Sequence, residues 1–500
     1  MNILQQPIFQ RAASPHVARN FAGLTCLLPL MLVACSTLTH YPVETQDLIS
    51  DFEGGSSEEA FGQADKRSKK GLNRLAYLLE GGMILHARGD LEASITEFEE
   101  AEAVIRNYEE KALVSLSKGT AQAGSIFVNE KTLPYTGEPF EKVLVNTFKA
   151  SNYLFLHDYE GARVEIRRSF ARQKENERMR QKEYERVQDE AKRRGISSRR
   201  VFRAVDVHYQ DQEEIVRRAR NLYEDAFAYY LSAIVYELNR EYNDAYIDLK
   251  KVQDLRPGVP YVENDLLRMA RRSGLSDELK VNENKLGRQP RMWDEKREGE
   301  VLIFFGSGMA PRKTQIKISI PIPDVGIMSM AFPKYETVPN PVRYGALYDR
   351  QGHLYGRTFI LTDLEAIAIR NLDDRMTTLA LKQVFRSAVK GAMVKTARDQ
   401  GGWAADLVAN FYNVITEQAD LRCWQTLPQN MQVARVFLPS GRHELVFALH
   451  GNTGGRLQER EFVLDVRPGE TIFVSARTGP WDLIGFNVFQ LGPSGVDRVE

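Results

Sequence analysis

Apolar and polar positions along the chain change period twice. From about residue 71 to 290, apolar residues recur at three- and four-residue spacing, which predicts helices with one buried face. From about residue 298 the runs "EVLIFFGSG" and "TQIKISIPIP" are short and β-rich, and the second alternates clearly, which predicts strands. Helical spacing returns over 362–398, through Leu364, Ile367, Ala368, Leu372, Met376, Leu379, Phe385 and Ala388. A second helix is expected at Trp403–Thr416. Strands resume at Gln432–Leu438, His443–Leu449, Arg460–Val466 and Thr471–Ala476, with Gly451–Gly455 and Pro468-Gly469 as turns. This order predicts an α+β region with a mostly antiparallel sheet over 298–490, carrying inserted helices at about 362–416.

One frame repeats inside the helical half. Gly82, Leu85, Gly89, Leu91, Ser94, Phe98 and Ala101 share it with Ala150, Tyr153, Tyr159, Ala162, Ile166 and Ser169. A further copy runs through Tyr229, Ala233, Tyr236, Tyr242, Ala245, Leu249 and Val252. Ser94 and Ala162 stand two periods of about 34 residues apart, and the frame resembles the tetratricopeptide (TPR) repeat. Small residues at Gly82, Ala150 and Ala233, and at Ser94, Ala162 and Ala245, let antiparallel helices approach closely. One pair cannot bury its own apolar face; about three stacked pairs make a continuous core. The resemblance implies all-α TPR-like repeats over 71–290 whose concave face holds a protein segment. Tyr153, Tyr159, Tyr229 and Tyr236 are the candidate partner-binding residues.

Two stretches depart from the frame. "LPYTGEPFE", Leu133–Glu141, is a loop by its prolines and glycine, either a connector or a binding element. Over about 172–220 apolar residues are sparse and Glu alternates with Lys and Arg, which predicts a solvated helical insertion with i,i+4 ion pairs. Gly195 breaks it. Arg193, Arg194, Arg199 and Arg200 flank the break with no acid between them. They are a plain solvated tip, or a contact for anionic lipid, glycan or an acidic protein.

Five hundred residues exceed what one core usually organises, so a multidomain chain is expected. Lys plus Arg equals Asp plus Glu at 67 each, which gives no global basic field and no general case for a nucleic-acid partner. The cysteines are Cys26, Cys35 and Cys423, too few for a disulfide framework or a CxxC metal site. Cys423 reads as a small semi-buried apolar residue.

The amino terminus carries Arg11 and Arg19 without an acid, then a greasy run that ends "LVAC" at Cys35. About 14 apolar residues are too few to span a bilayer as a helix, so residues 1–34 read as a signal peptide. The "LVAC" end resembles the lipobox of bacterial lipoproteins. That resemblance implies a diacylglyceryl thioether on Cys35, cleavage before it and acylation of the new amine, with palmitate-type chains holding the protein in the membrane. Two or three acyl chains anchor durably where one does not. Ser36, where an aspartate would favour inner-membrane retention, implies the periplasmic side of the outer membrane. Residues 35–70, with Gly54, Gly55, Ser56 and Ser57 among many charges, read as a tether.

Catalytic motifs do not emerge. "FFGSGMAPRKT" lacks the glycine before its lysine that a phosphate loop needs. There is no HExxH and no GxSxG. His86 and His157 fall near helix turns and read as surface residues. "EQADLRCWQTLP", Glu417–Pro428, clusters an acid, Arg422 and Trp424; it is a structural corner with an Arg–carboxylate pair, or a ligand site. No catalytic residue, metal or cofactor is assigned.

"YTGEPFEKVLVN", "NYLFLHDYEGARVEIRR" and "EQADLRCWQTLP" together resemble a family of Gram-negative lipoproteins with TPR-like helices and a β-rich carboxyl-terminal region. Its members are often associated with small lipoproteins related to activators of peptidoglycan synthases. The resemblance implies a non-enzymatic periplasmic scaffold that binds a periplasmic or outer-membrane protein partner in cell-envelope assembly. A cell-wall-binding or hydrolysing carboxyl-terminal module, and a secretion or surface-appendage assembly factor, are the alternatives.

Overall fold

Apolar residues decide the helical half from its first turn. The computed structural model describes residues 40–117, 131, 133–219, 225–322, 326–400, 418–492 and 495–499. Helices α1 (Tyr41–Glu44), α2 (Gln46–Glu53) and α3 (Ser57–Ser68) bury Tyr41, Leu48, Ile49, Phe52, Ala60 and Ala64. The expected tether therefore does not extend over 41–68: one apolar residue per turn is enough to dock these helices.

Helices α4 (Arg74–Arg88) and α5 (Leu91–Ser117) form an antiparallel hairpin. Gly89 closes α4 in the left-handed region at φ 84°. A Cβ at Gly82 would sit 2.4 Å from the Phe98 ring, and Ser94 Oγ donates to the Gly82 carbonyl at 2.7 Å. Residues 133–138 form the expected loop, and Pro139 opens α6 (Pro139–Phe155) at a position that needs no N–H. α7 (Tyr159–Arg193) follows a turn at His157, φ 56°, and Asp158 caps it by accepting from the Gly161 N–H at 2.8 Å.

The second half of α7, with α8 (Ser198–Asp206) and α9 (Glu213–Arg218), forms the charged arm. It is less solvated than its composition predicts. Val187, Ala191, Val201 and Val205 are buried. Then come the hairpins α10 (Ala226–Leu238) with α11 (Tyr242–Leu255), and α12 (Pro260–Arg272) with α13 (Ser276–Leu286).

The carboxyl-terminal region runs β1 (Glu298–Ser307), β2 (Arg312–Ile322), β3 (Gly326–Glu336), β4 (Val342–Asp349), β5 (Leu354–Arg357) and β6 (Phe359–Asp363), then α14 (Leu364–Gln400). After it come β7 (Asn430–Pro439), β8 (Gly441–Gly451), β9 (Arg456–Val466), β10 (Thr471–Thr478), β11 (Leu483–Gly492) and β12 (Gly495–Val499). The helix expected at Trp403–Thr416 lies outside the described residues. α14 braces the arm: Arg194 lies 5.5 Å over the Phe385 ring, and Lys382 pairs with Glu183 at 2.5 Å.

A six-stranded sheet has the order β12-β11-β10-β1-β7-β6, and a four-stranded sheet β5-β4-β8-β9; β2 and β3 pair as a long hairpin. Pairing is mostly antiparallel, as expected; the six-stranded sheet is mixed because β1 and β10 run parallel. β1 explains the layering. Val301, Ile303 and Phe305 pack with Phe447 and Leu464 of the second sheet, while Leu302 and Phe304 belong to the cluster shared with the helices. A period of two in a strand buried on both faces thus joins two cores.

No boundary separates the helical and sheet regions. Phe155 of α6 stacks on Phe489 at 5.3 Å and tilts against Phe304 at 5.4 Å; Phe227 of α10 meets Phe304 edge-on at 5.8 Å. One apolar cluster runs from Tyr41 through the hairpins to Phe489. The expectation of separate domains gives way to a helical layer wrapped on its own sheet.

Candidate functional site

Residues 418–429, the described stretch before β7, are irregular and almost wholly buried. From Gln418 they cross the helical layer as a strap. Trp424 is 1% exposed, with Phe98 and Phe148 edge-on at 5.6 and 6.0 Å. Its indole N–H donates to Thr426 Oγ1 at 3.1 Å. Three successive backbone N–H groups of the strap have no strand partner, and buried donors need acceptors. Two helical glutamates supply them. Glu141 Oε1 accepts from Trp424 N at 2.8 Å; Glu80 Oε1 and Oε2 accept from Gln425 N and Thr426 N at 2.9 and 2.8 Å. Tyr41 OH donates to Glu80 at 3.1 Å, and Gln425 Nε2 donates to Thr45 Oγ1 at 2.8 Å.

Both glutamates are fully enclosed. Burial raises the Glu80 carboxyl above its ordinary range, against the pull of its donors. Burial, then the charge of Glu138, pushes Glu141 up to about 7, although Tyr135 OH and the Glu138 N–H also donate to it, at 2.5 and 2.9 Å. Glu138 behaves oppositely. Burial would raise it, but Arg375 and Lys313, both bonded to it, outweigh that and hold it at about 2. Burial likewise pushes the Cys423 thiol up to about 12, so it is no nucleophile at neutral pH.

Each end of the strap is pinned. Arg422 pairs with Asp420 at 2.6 Å over the Tyr135 ring and donates to the Leu133 carbonyl at 2.9 Å. Of the two readings of "EQADLRCWQTLP", this geometry is the structural corner. Arg477 donates to the carbonyls of Thr426 and Gly308 at 3.0 and 2.5 Å, and its ring neighbour is Phe52. Burial lowers its guanidinium to about 9. Beside Glu138 a small polar cleft is lined by Lys313, Arg375, Gln383, Arg386 and Asp420.

A second buried charge cluster rivets sheet to helices. Arg435 of β7 meets Glu300 of β1 at 2.5 Å, Glu237 of α10 at 2.8 Å and Asp265 of α12 at 3.0 Å. Burial would raise Glu237, but Arg268 and Arg435 hold it at about 2. A third cluster, Lys149 with Glu102 at 2.7 Å and Glu165 at 3.1 Å, ties α5, α6 and α7.

Of the candidate tyrosines, Tyr229 is buried and the other three are half-buried. Tyr229 is 6% exposed, stacked on Phe170 at 4.7 Å with Lys251 above it, so it is not available as a surface contact. Tyr236 is half-buried beneath Arg163. Tyr153 is half-buried against Gly161, where a Cβ would sit 2.6 Å from its ring, and Tyr159 OH lies 3.0 Å from His157 Nδ1. His86 is buried rather than on the surface. Its Nδ1 lies 2.6 Å from Asn152 Oδ1, and burial lowers it to about 4.

At the arm, Arg193 is exposed 3.8 Å from Glu190, and Arg194 pairs with Glu190 at 2.6 Å. Arg199 and Arg200 are exposed in the first turn of α8. Cys35 lies outside the described residues. Among the described residues no cluster of His, Cys, Asp and Glu is placed to hold a metal ion, and no helix is long and apolar enough to cross a membrane.

No protein-family profile, curated protein or solved structure matches this chain. Its site must be read from its own geometry.

Pattern reading missed the two clamping glutamates, yet a signal for one exists. Glu80 is the only acid between Arg74 and Arg88, inside "LAYLLEGGMIL". A lone carboxylate in an otherwise apolar helix needs a buried donor. Nothing local says that the donor is a backbone 345 residues away.

Proposed function

We propose that this chain is a non-catalytic scaffold of a Gram-negative envelope, anchored by lipid at Cys35 on the periplasmic side of the outer membrane. In this reading its TPR-like helical layer holds the chain's own sheet, and a protein partner is met on the outward arm. One observation carries the reading. The helices that a TPR array would offer to a partner, α4, α6 and α10, are here packed on β1, β10 and β11 and on the strap. The buried carboxylates and arginines around them join helix to sheet.

That arrangement leaves the arm. Arg199, Arg200 and Arg203 are exposed, and none has a carboxylate within ion-pair distance among the described residues. Such a tip suits an acidic protein surface, with association that weakens as salt rises. A separate carboxyl-terminal cell-wall module fits less well, because residues 298–490 share their core with the helices.

The test uses the full lipidated chain in envelopes, with a photo-crosslinking residue at position 199 or at position 236. The reading expects one dominant protein adduct from 199, lost on Arg200→Glu with Arg203→Glu and reduced by salt. Adducts from 236 alone, or turnover of peptidoglycan by the purified chain, overturn it.

A further inference from the structure

The described chain begins at His40, and the surface around that point gathers three exposed aliphatic side chains. Val43, Leu72 and Leu133 are 63%, 42% and 42% exposed. Hydrogen bonds tie together the three segments that carry them. Arg67 donates to the Glu44 carbonyl at 2.8 Å and Asn73 to the Glu44 carboxylate at 2.9 Å, which seats α1 on the turn after α3. Tyr135 N donates to the Leu72 carbonyl at 2.7 Å, and Arg422 reaches the carbonyls of both Leu72 and Leu133. Lys69 and Lys70, both exposed, precede Leu72. Lys69 pairs with Asp65, Glu44 is satisfied by Asn73 and Tyr77, and Lys70 has no carboxylate within ion-pair distance among the described residues.

Cys35 is five residues before His40. Whatever path residues 36–39 take, five residues span at most about 18 Å. An acyl chain on Cys35 therefore holds this patch within reach of the lipid headgroups. So short a link makes even a weak contact prevail through effective concentration.

We propose that the face formed by Val43, Leu72 and Leu133, flanked by Lys69 and Lys70, seats on the surface of the phospholipid leaflet that holds the acyl chains of Cys35. The aliphatic side chains enter the interfacial zone and the lysines meet anionic headgroups. The inference rests on the lipid-anchor reading and adds an orientation to it: the protein lies on the membrane by a defined face.

The test is made on the full lipidated protein in vesicles of phosphatidylethanolamine and phosphatidylglycerol. An environment-sensitive fluorophore is attached in turn at Val43→Cys, Leu72→Cys and, as a control in the last helical hairpin, Val281→Cys. Acylated Cys35 and buried Cys423 leave only the introduced thiol to react. Brominated lipids are expected to quench the labels at 43 and 72 at least about threefold more than the label at 281, and aqueous iodide to do the reverse. Equal iodide access at all three positions overturns the proposal. Mass spectrometry of the same sample separates the two levels. Acylated Cys35 with solvent-exposed labels refutes the face but keeps the anchor, whereas unmodified Cys35 refutes both.

Discussion

The strap joint and the arm use charge differently. At the joint, Glu80 and Glu141 are enclosed and each accepts two or more hydrogen bonds from donors fixed by the fold. On the arm, Arg178–Glu175, Lys192–Asp189 and Arg217–Glu213 are exposed pairs within single helices. Water reaches these exposed pairs of the arm, whereas Glu80 and Glu141 are shut off from it. The difference teaches that charge composition alone does not say whether an acid is structural. Location relative to the sheet does.

Perturbing the strap itself should separate the two regions most. Trp424→Ala removes a buried indole between Phe98 and Phe148 and is expected to destabilise the full chain by about 3–5 kcal/mol, read from the denaturant midpoint. A loss below about 1 kcal/mol would mean the strap is not bound as described. Glu80→Ala leaves the N–H groups of Gln425 and Thr426 without acceptors and is expected to lose about 1–3 kcal/mol for each of the two. Glu80→Gln keeps one acceptor oxygen and should lose less.

The pH dependence sharpens the same contrast. Glu141 holds its proton in the folded chain up to about 7, against an ordinary value of 4.5. Between these values the folded state binds more protons than the unfolded one, so this group's contribution to stability is greatest below pH 4.5 and declines as pH rises to 7. Glu138, held at about 2, has the opposite sign: its stabilisation is present above 4.5 and is lost as pH falls toward 2. Glu141→Gln should therefore gain on the parent chain as pH rises from 4.5 to 7, in unfolding midpoints measured across that range. A constant offset would assign Glu141 an ordinary carboxyl. The smallest effect belongs to the arm. Arg178→Ala is expected to move stability by less than about 0.5 kcal/mol, and a larger loss in thermal melts would make the arm structural.

Much of this was legible beforehand. Strands β7 to β10 lie where their apolar runs between turn residues predicted them, and β7 and β10 bury both faces between the two cores. Gly82 against Phe98, and Ala162 and Ala245 at zero exposure, occupy the close approaches that small residues predicted. Other features were not legible. Leu48 and Phe52 are too sparse to stand out in a polar stretch that reads as a tether, and Tyr229 looks the same in sequence whether it faces a partner or Phe170. His86 stands near a turn, and by sequence that position reads as surface. The β11 strand covers that turn, with Asn487 donating to the Ala87 carbonyl at 3.0 Å.

By itself the sequence determined the kinds of element and their order, since helix and strand periodicity arise between neighbours a few residues apart. It also determined the charge balance and the lone acid of α4. Only the tertiary structure decided that the helical layer closes on the chain's own sheet, that β1 pairs parallel with β10, and that Glu80 and Glu141 grip the strap at Trp424–Thr426. Those contacts join residues hundreds of positions apart, and a buried hydrogen bond is specified by where its two groups meet, which no local pattern records.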